Sequence, residues 1–99
     1  MIVRMRGDKI VEVSFDKEFL VESLGLPYSA IEDSVIDTSR WSVYHEIVFE
    51  YEGKFYRAFY SVGATEMQDE RPWEYDDTVI CTQVEKKLVQ VEKWMPVEV

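Results

Sequence analysis

Residues 41–62, WSVYHEIVFEYEGKFYRAFYSV, alternate apolar and polar positions on both sides of Glu52-Gly53, a pattern that leaves the stretch little choice but a β-hairpin with a tight two-residue turn. Pairing Tyr51 with Lys54 sets the register. Phe49 then faces Tyr56, Ile47 faces Ala58, His45 faces Tyr60 and Val43 faces Val62, so one face is apolar. The other face, with Tyr44, Glu46, Val48 and Glu50 opposite Ser61, Phe59, Arg57 and Phe55, is mixed. Slipping the pairing by one residue sets Ile47 against Arg57 and His45 against Phe59, which the pattern resists.

The remaining chain has to complete a core around this ribbon. Ninety-nine residues with 46% apolar and 14% aromatic content suffice for one domain, 1–99. Residues 1–6 and 9–15 alternate again around Gly7-Asp8, which predicts an N-terminal hairpin with Arg6 facing Lys9. Asp16 reads as the N-cap of a short helix over about 17–24, with Phe15 as a hydrophobic staple on Leu20 and Gly25 followed by Leu26-Pro27 as the stop. A helix this short needs a sheet to lie on, and its stripe of Phe19, Leu20 and Leu24 fits the Val43, Ile47, Phe49 face. Residues 27–40 read as a connection, with one helical turn over 28–33 and a short strand over 34–37 as local options. Residues 79–97 return to β character and predict two strand segments with a bend at Glu85-Lys86-Lys87. The rival there is a helix over 83–93 with a Val84, Leu88, Val91 stripe; Val89, Val91 and the Trp94-Met95-Pro96 ending favour strand. The expected class is α+β: a mostly antiparallel sheet around the central hairpin 41–62, with C-terminal strands and one short helix packed on one face.

Charge narrows the partners. Twenty acidic against 11 basic residues give a net charge of −9, which disfavours direct contact with a phosphate backbone and makes basic protein surfaces the natural electrostatic partners. The single cysteine, Cys81, excludes an internal disulfide and any multi-cysteine zinc site, and it fits a reducing cytoplasm. The first ten residues are too polar for a signal peptide, and no apolar run approaches the roughly 18 residues of a membrane span. The expectation is a cytoplasmic protein with no membrane association.

Catalytic signals are weak. His45 is the sole histidine. With Glu66 as partner it would make a general base in a small enzyme or ligand-binding domain, but no nucleophile accompanies it, and a histidine packed against a tyrosine or carboxylate is the simpler reading. Carboxylates surround Cys81 in sequence where a reactive thiol wants positive charge, so it reads as a small buried hydrophobe. The carboxylates between Thr65 and Asp77 lack the spacing of a calcium loop, so no metal or cofactor is expected, and no enzyme. What stands out in residues 63–78, GATEMQDERPWEYDDT, is the interleaving of Met67, Trp73 and Tyr75 with Glu66, Asp69, Glu70, Glu74, Asp76 and Asp77 against the lone base Arg71. Aromatic anchors with steering charges on an irregular loop describe a protein-docking segment. In the competing reading, Trp73 tucks under the sheet and merely pins the loop.

The run from RWS through the aromatic hairpin to YSVGATEMQDERPWEY, then Cys-Thr and a Val-rich ending, resembles small uncharacterised proteins encoded by bacteriophages and other mobile elements of bacteria. The resemblance covers residues 39–97 and brings no established catalytic residues. It implies a role in binding and blocking a host protein, including nucleic-acid-handling and defence machinery such as CRISPR effectors. The resulting expectation is an acidic accessory protein that inhibits a basic host protein through Glu66, Asp69, Glu70, Trp73, Glu74, Tyr75, Asp76 and Asp77. A second expectation is a self-associating structural or assembly module that uses Phe55 and Phe59 on the mixed face of the hairpin, as a homo-oligomer.

Overall fold

Six strands form one sheet in the computed structural model, which describes residues 2–6, 10–65 and 70–98. They are β1 (Ile2–Arg6), β2 (Ile10–Asp16), β3 (Glu32–Thr38), β4 (Ser42–Tyr51), β5 (Lys54–Gly63) and β6 (Thr78–Val84). Their order is β1-β2-β6-β5-β4-β3, and every neighbouring pair is antiparallel. The β4–β5 ribbon has the register that its alternation demands, from Tyr51↔Lys54 through Phe49↔Tyr56 and His45↔Tyr60 to Val43↔Val62. Glu52 and Gly53 both have positive φ, 52° and 77°, as a two-residue hairpin turn that follows the strand twist requires.

One face of this sheet is the core. Val13 and Phe15 from β2, Val79 and Cys81 from β6, Tyr56, Ala58 and Tyr60 from β5, and Ile47 and Phe49 from β4 are buried there. Phe15 is central: its ring meets Phe49, Tyr51 and Tyr56 edge-on and stacks on Phe19. The helical segment covers this cluster, with Leu20 wholly buried. It is a single wide turn, Phe19–Ser23, closed by the Leu24 N–H donating to the Phe19 carbonyl at 3.1 Å. Gly25 at φ 72° then turns the chain, and the Leu26 N–H reaches back to the Leu20 carbonyl at 3.0 Å, so the glycine ends the helix where the sequence places the stop. Among the described residues, no helix is long and apolar enough to cross a membrane.

Four local expectations are corrected. Asp16 is not an N-cap: it is the last residue of β2, paired with Thr78, the Lys17 N–H that follows it goes to the Asp77 carbonyl, and the helical turn has no side-chain cap. Arg6 pairs with Ile10 rather than Lys9, which makes the first connection one residue longer. Residues 32–38, read mostly as connection, form the edge strand β3, with a bulge between Val35 and Asp37. The C-terminal strands reduce to β6, and residues 85–98 form neither a second strand nor the alternative helix over 83–93. The cause is lateral: β6 is already flanked by β2 and β5, and past Val84↔Phe55 the hairpin ends at its turn, so the chain runs off the sheet with no neighbour to hydrogen-bond.

Candidate functional site

A fork in the sheet creates the site. β5 and β6 pair only at Phe55↔Val84, Tyr56↔Gln83 and Arg57↔Thr82. Beyond these rungs β6 stays with β2, down to Asp16↔Thr78, while Ala58–Gly63 stays with β4. Residues 64–77 close the gap. Trp73 is 5% exposed, and its indole Nε1–H donates to the Phe59 carbonyl at 2.8 Å, standing in for the ladder donor that β6 no longer supplies there. The same ring meets Tyr60 at 5.8 Å between centroids.

A second pin lies at Glu70. Its carboxylate accepts from Ser42 Oγ and Ser61 Oγ, each at 2.6 Å, and those hydroxyl donors, Ser42 first, hold its pKa below the ordinary carboxylate value against a smaller opposing effect of burial. Because the folded pKa is depressed, this stabilisation is present above the unfolded value of 4.5 and is lost as pH falls through the lower folded value. Glu70→Gln should cost about 1 kcal/mol at pH 7 and flatten the loss of stability below pH 5, read by urea unfolding at a series of pH values. An unchanged acid limb would show that Glu70 does not hold the loop.

These pins revise the docking segment. Trp73 lies in the core, which leaves Tyr75 as the exposed ring of the two; Glu70 is spent on the two serines. Glu66 and Asp69 lie outside the described residues, as does Met67. Tyr75 is 92% exposed, with Asp76 and Asp77 exposed and Glu74 half-buried beside it. It stands between two hollows. One, of about 590 Å³, is bounded by Glu74, Asp76 and Asp77 together with Asp16, Glu18 and Glu22. The other, of about 540 Å³, has Tyr44 and Phe59 in its wall. Asp16, Glu18 and Glu22 were not among the residues expected from the sequence; the Asp16↔Thr78 rung and the Lys17–Asp77 bond bring them to the loop. The pole around Tyr75 thus collects carboxylates from two distant segments, with Lys17 as the base between them.

His45 is packed. Its Nδ1–H donates to Asp33 Oδ1 at 2.7 Å, and its ring stacks on Tyr60 with centroids 4.6 Å apart. Tyr60 donates its hydroxyl to the other oxygen of Asp33, and burial, followed by that hydrogen bond, pushes the phenol well above its ordinary pKa of 10.0. The partner proposed for a catalytic His45, Glu66, lies outside the described residues. Burial pushes the Cys81 thiol up to about 12, so it carries no thiolate at neutral pH. Among the described residues, no group of three or more His, Cys, Asp or Glu side chains is placed to hold a metal ion. Phe55 and Phe59, on the face opposite the core, are both open to solvent. Compared with known proteins, the chain matches no family model, no curated protein and no solved structure.

Proposed function

We propose that this is a small non-enzymatic accessory protein of the bacteriophage or mobile-element kind. In this reading it acts in the bacterial cytoplasm, where its acidic pole binds a basic, nucleic-acid-handling protein of the host, such as a defence or CRISPR effector, and blocks it. Glu74, Asp76 and Asp77, joined by Asp16, Glu18 and Glu22, take the place of phosphates in pairing with lysine and arginine, while Tyr75 supplies the area that becomes buried. The observation that carries the reading is the exposure of Tyr75 on a loop pinned from beneath by Trp73 and Glu70. A rigid platform loses little conformational freedom on binding, so an exposed ring there converts more of its burial into affinity. An α+β classification belongs to the same reading, with the helical turn contributing both to the core and to the acidic pole.

Affinity capture from bacterial lysate tests it, using the wild type, Tyr75→Ala, and the triple variant Glu74→Gln, Asp76→Asn, Asp77→Asn. The wild type should retain a basic protein whose affinity falls at least tenfold between about 50 and 200 mM salt. Tyr75→Ala should weaken binding by about 2 kcal/mol, and the triple variant should lose it while unfolding at the same urea concentration. A retained partner whose affinity is indifferent to salt removes the electrostatic basis of the proposal.

A further inference from the structure

Residues 85–98 carry the alternation of a strand without a sheet. Val89, Val91, Lys93, Met95 and Val97 lie on one side of the repeat, and Leu88, Gln90, Glu92 and Trp94 on the other. Leu88 and Trp94 are fully exposed, and Val89, Val91, Met95 and Val97 largely so. The molecule measures 57 Å along its longest axis, with a radius of gyration of 16.8 Å, against about 13 Å for a compact domain of this length. Apolar side chains this exposed on a β-patterned segment mark a surface that is covered in use. None of the described residues covers them, and β6, which leads into the segment, already has a neighbour on each side.

The same chain offers a receiver. β3 is an edge strand, hydrogen-bonded only to β4, and all seven of its residues are exposed, including Val35 and Ile36. It carries Glu32, Asp33 and Asp37, whereas the C-terminal segment is neutral, its Lys86, Lys87 and Lys93 balanced by Glu85, Glu92 and Glu98, so in a chain of net charge −9 it can approach this acidic edge without net repulsion. β3 begins, and the segment departs, at the same end of the sheet: Ile31 and Glu32 share with Val84, Glu85 and Lys86 a mainly apolar hollow of about 580 Å³ that also includes Val48 and Phe55.

We propose that residues 85–98 form an arm that adds as a strand to the β3 edge of a second copy of this chain, reciprocally in a two-fold dimer. Main-chain hydrogen bonds to an open edge supply affinity, and the alternate side chains supply register. Trp94 takes the apolar hollow of the second copy as its wall. The arrangement is closed, because the root of each arm lies beside the hollow that receives the other, so one contact made twice satisfies both copies. Reciprocity also doubles the buried area: a covered tryptophan removes roughly 150–250 Å², so Trp94 of the two arms alone supplies roughly 300–500 Å² of the roughly 1,200 Å² of a specific interface, and the valines, Leu88 and Met95 of both arms add to it. The arm also explains how a free edge with Val35 and Ile36 on it avoids open-ended pairing.

Light scattering over about 5 to 500 µM protein tests the dimer, with hydrogen exchange locating the contact. The full chain should show twice its 11.7 kDa mass at the upper concentrations, with slowed exchange in residues 89–95 and in β3. Three variants leave the core untouched: a chain ended after Lys87, Val91→Pro, which removes a strand donor, and Ile36→Lys on the receiving edge. Each should raise the dimer dissociation constant at least about a hundredfold while unfolding like the wild-type monomer. A full chain that stays monomeric across the series overturns the proposal. So does a dimer that survives loss of the arm, or slowed exchange in β1 instead of β3.

Discussion

Trp73→Ala should destabilise the protein by about 4–6 kcal/mol, which consumes most of the total stability of a domain at the lower end of the usual range of about 5–15 kcal/mol. Two losses add. Removing a buried tryptophan costs about 3–5 kcal/mol in transfer and cavity terms, and the Phe59 carbonyl, whose donor is the indole, is left inside the fork with no partner, at about 1 kcal/mol or more. Trp73→Phe separates the terms: the ring still fills the gap beside Tyr60, so the cost should fall to about 1–2 kcal/mol, mostly the lost hydrogen bond. Urea unfolding followed by circular dichroism measures both. If alanine and phenylalanine cost the same, Trp73 is not filling space and the closure of the fork needs another explanation.

The Asp33 carboxylate carries the second large effect, because it accepts from both His45 and Tyr60. Asp33→Ala should cost about 2 kcal/mol at pH 8, less than for a fully buried acceptor, since the side chain is 35% exposed and partly screened. The pH dependence has a definite sign. Tyr60 keeps its proton in the folded protein beyond pH 10.0, where an unfolded tyrosine ionises, so its contribution is complete below pH 10 and is lost as pH climbs past it. Tyr51, Tyr56 and Cys81, all raised with burial as the first cause, act in the same direction, and the whole protein should weaken at alkaline pH. In Asp33→Ala the Tyr60 phenol keeps the effect of burial but loses the hydrogen bond and the like charge. The variant is therefore weaker at pH 8, and its folded form ionises Tyr60 at a lower pH than the wild type. Urea unfolding at pH 8 reads the first quantity, and tyrosinate absorbance of the folded proteins, titrated upward from pH 9, reads the second. Coincident absorbance curves in the two proteins would separate Tyr60 from Asp33.

The hairpin was legible because its information is local: two strands that alternate in phase, joined by a turn with a glycine, admit one register. The helix stop at Gly25 was legible for a similar reason, since positive φ selects that residue. β3 was not, because EDSVIDT is an edge strand open on both sides, and a strand with no buried face shows no alternation. The C-terminal arm misled in the opposite way. Its alternation is plain, but whether a strand forms depends on a lateral neighbour, and no local pattern records that both sides of β6 are taken. The docking segment mixed both kinds of information. Acid and aromatic content could be read directly, but which ring faces water depended on the fork between β5 and β6, a feature of pairing between distant segments. Trp73 and Tyr75, two residues apart, look equivalent in sequence; the Phe59 carbonyl separates them.

The two halves of the sheet, β1-β2-β6 and β5-β4-β3, are stitched by three rungs at one end and wedged by a single indole at the other. Such a body works like a clothes-peg, with a stiff spring end and jaws whose spacing one filler sets. Tyr75 sits two positions along the chain from that filler, so whatever grips the phenol tugs on the part that keeps the jaws at their gauge.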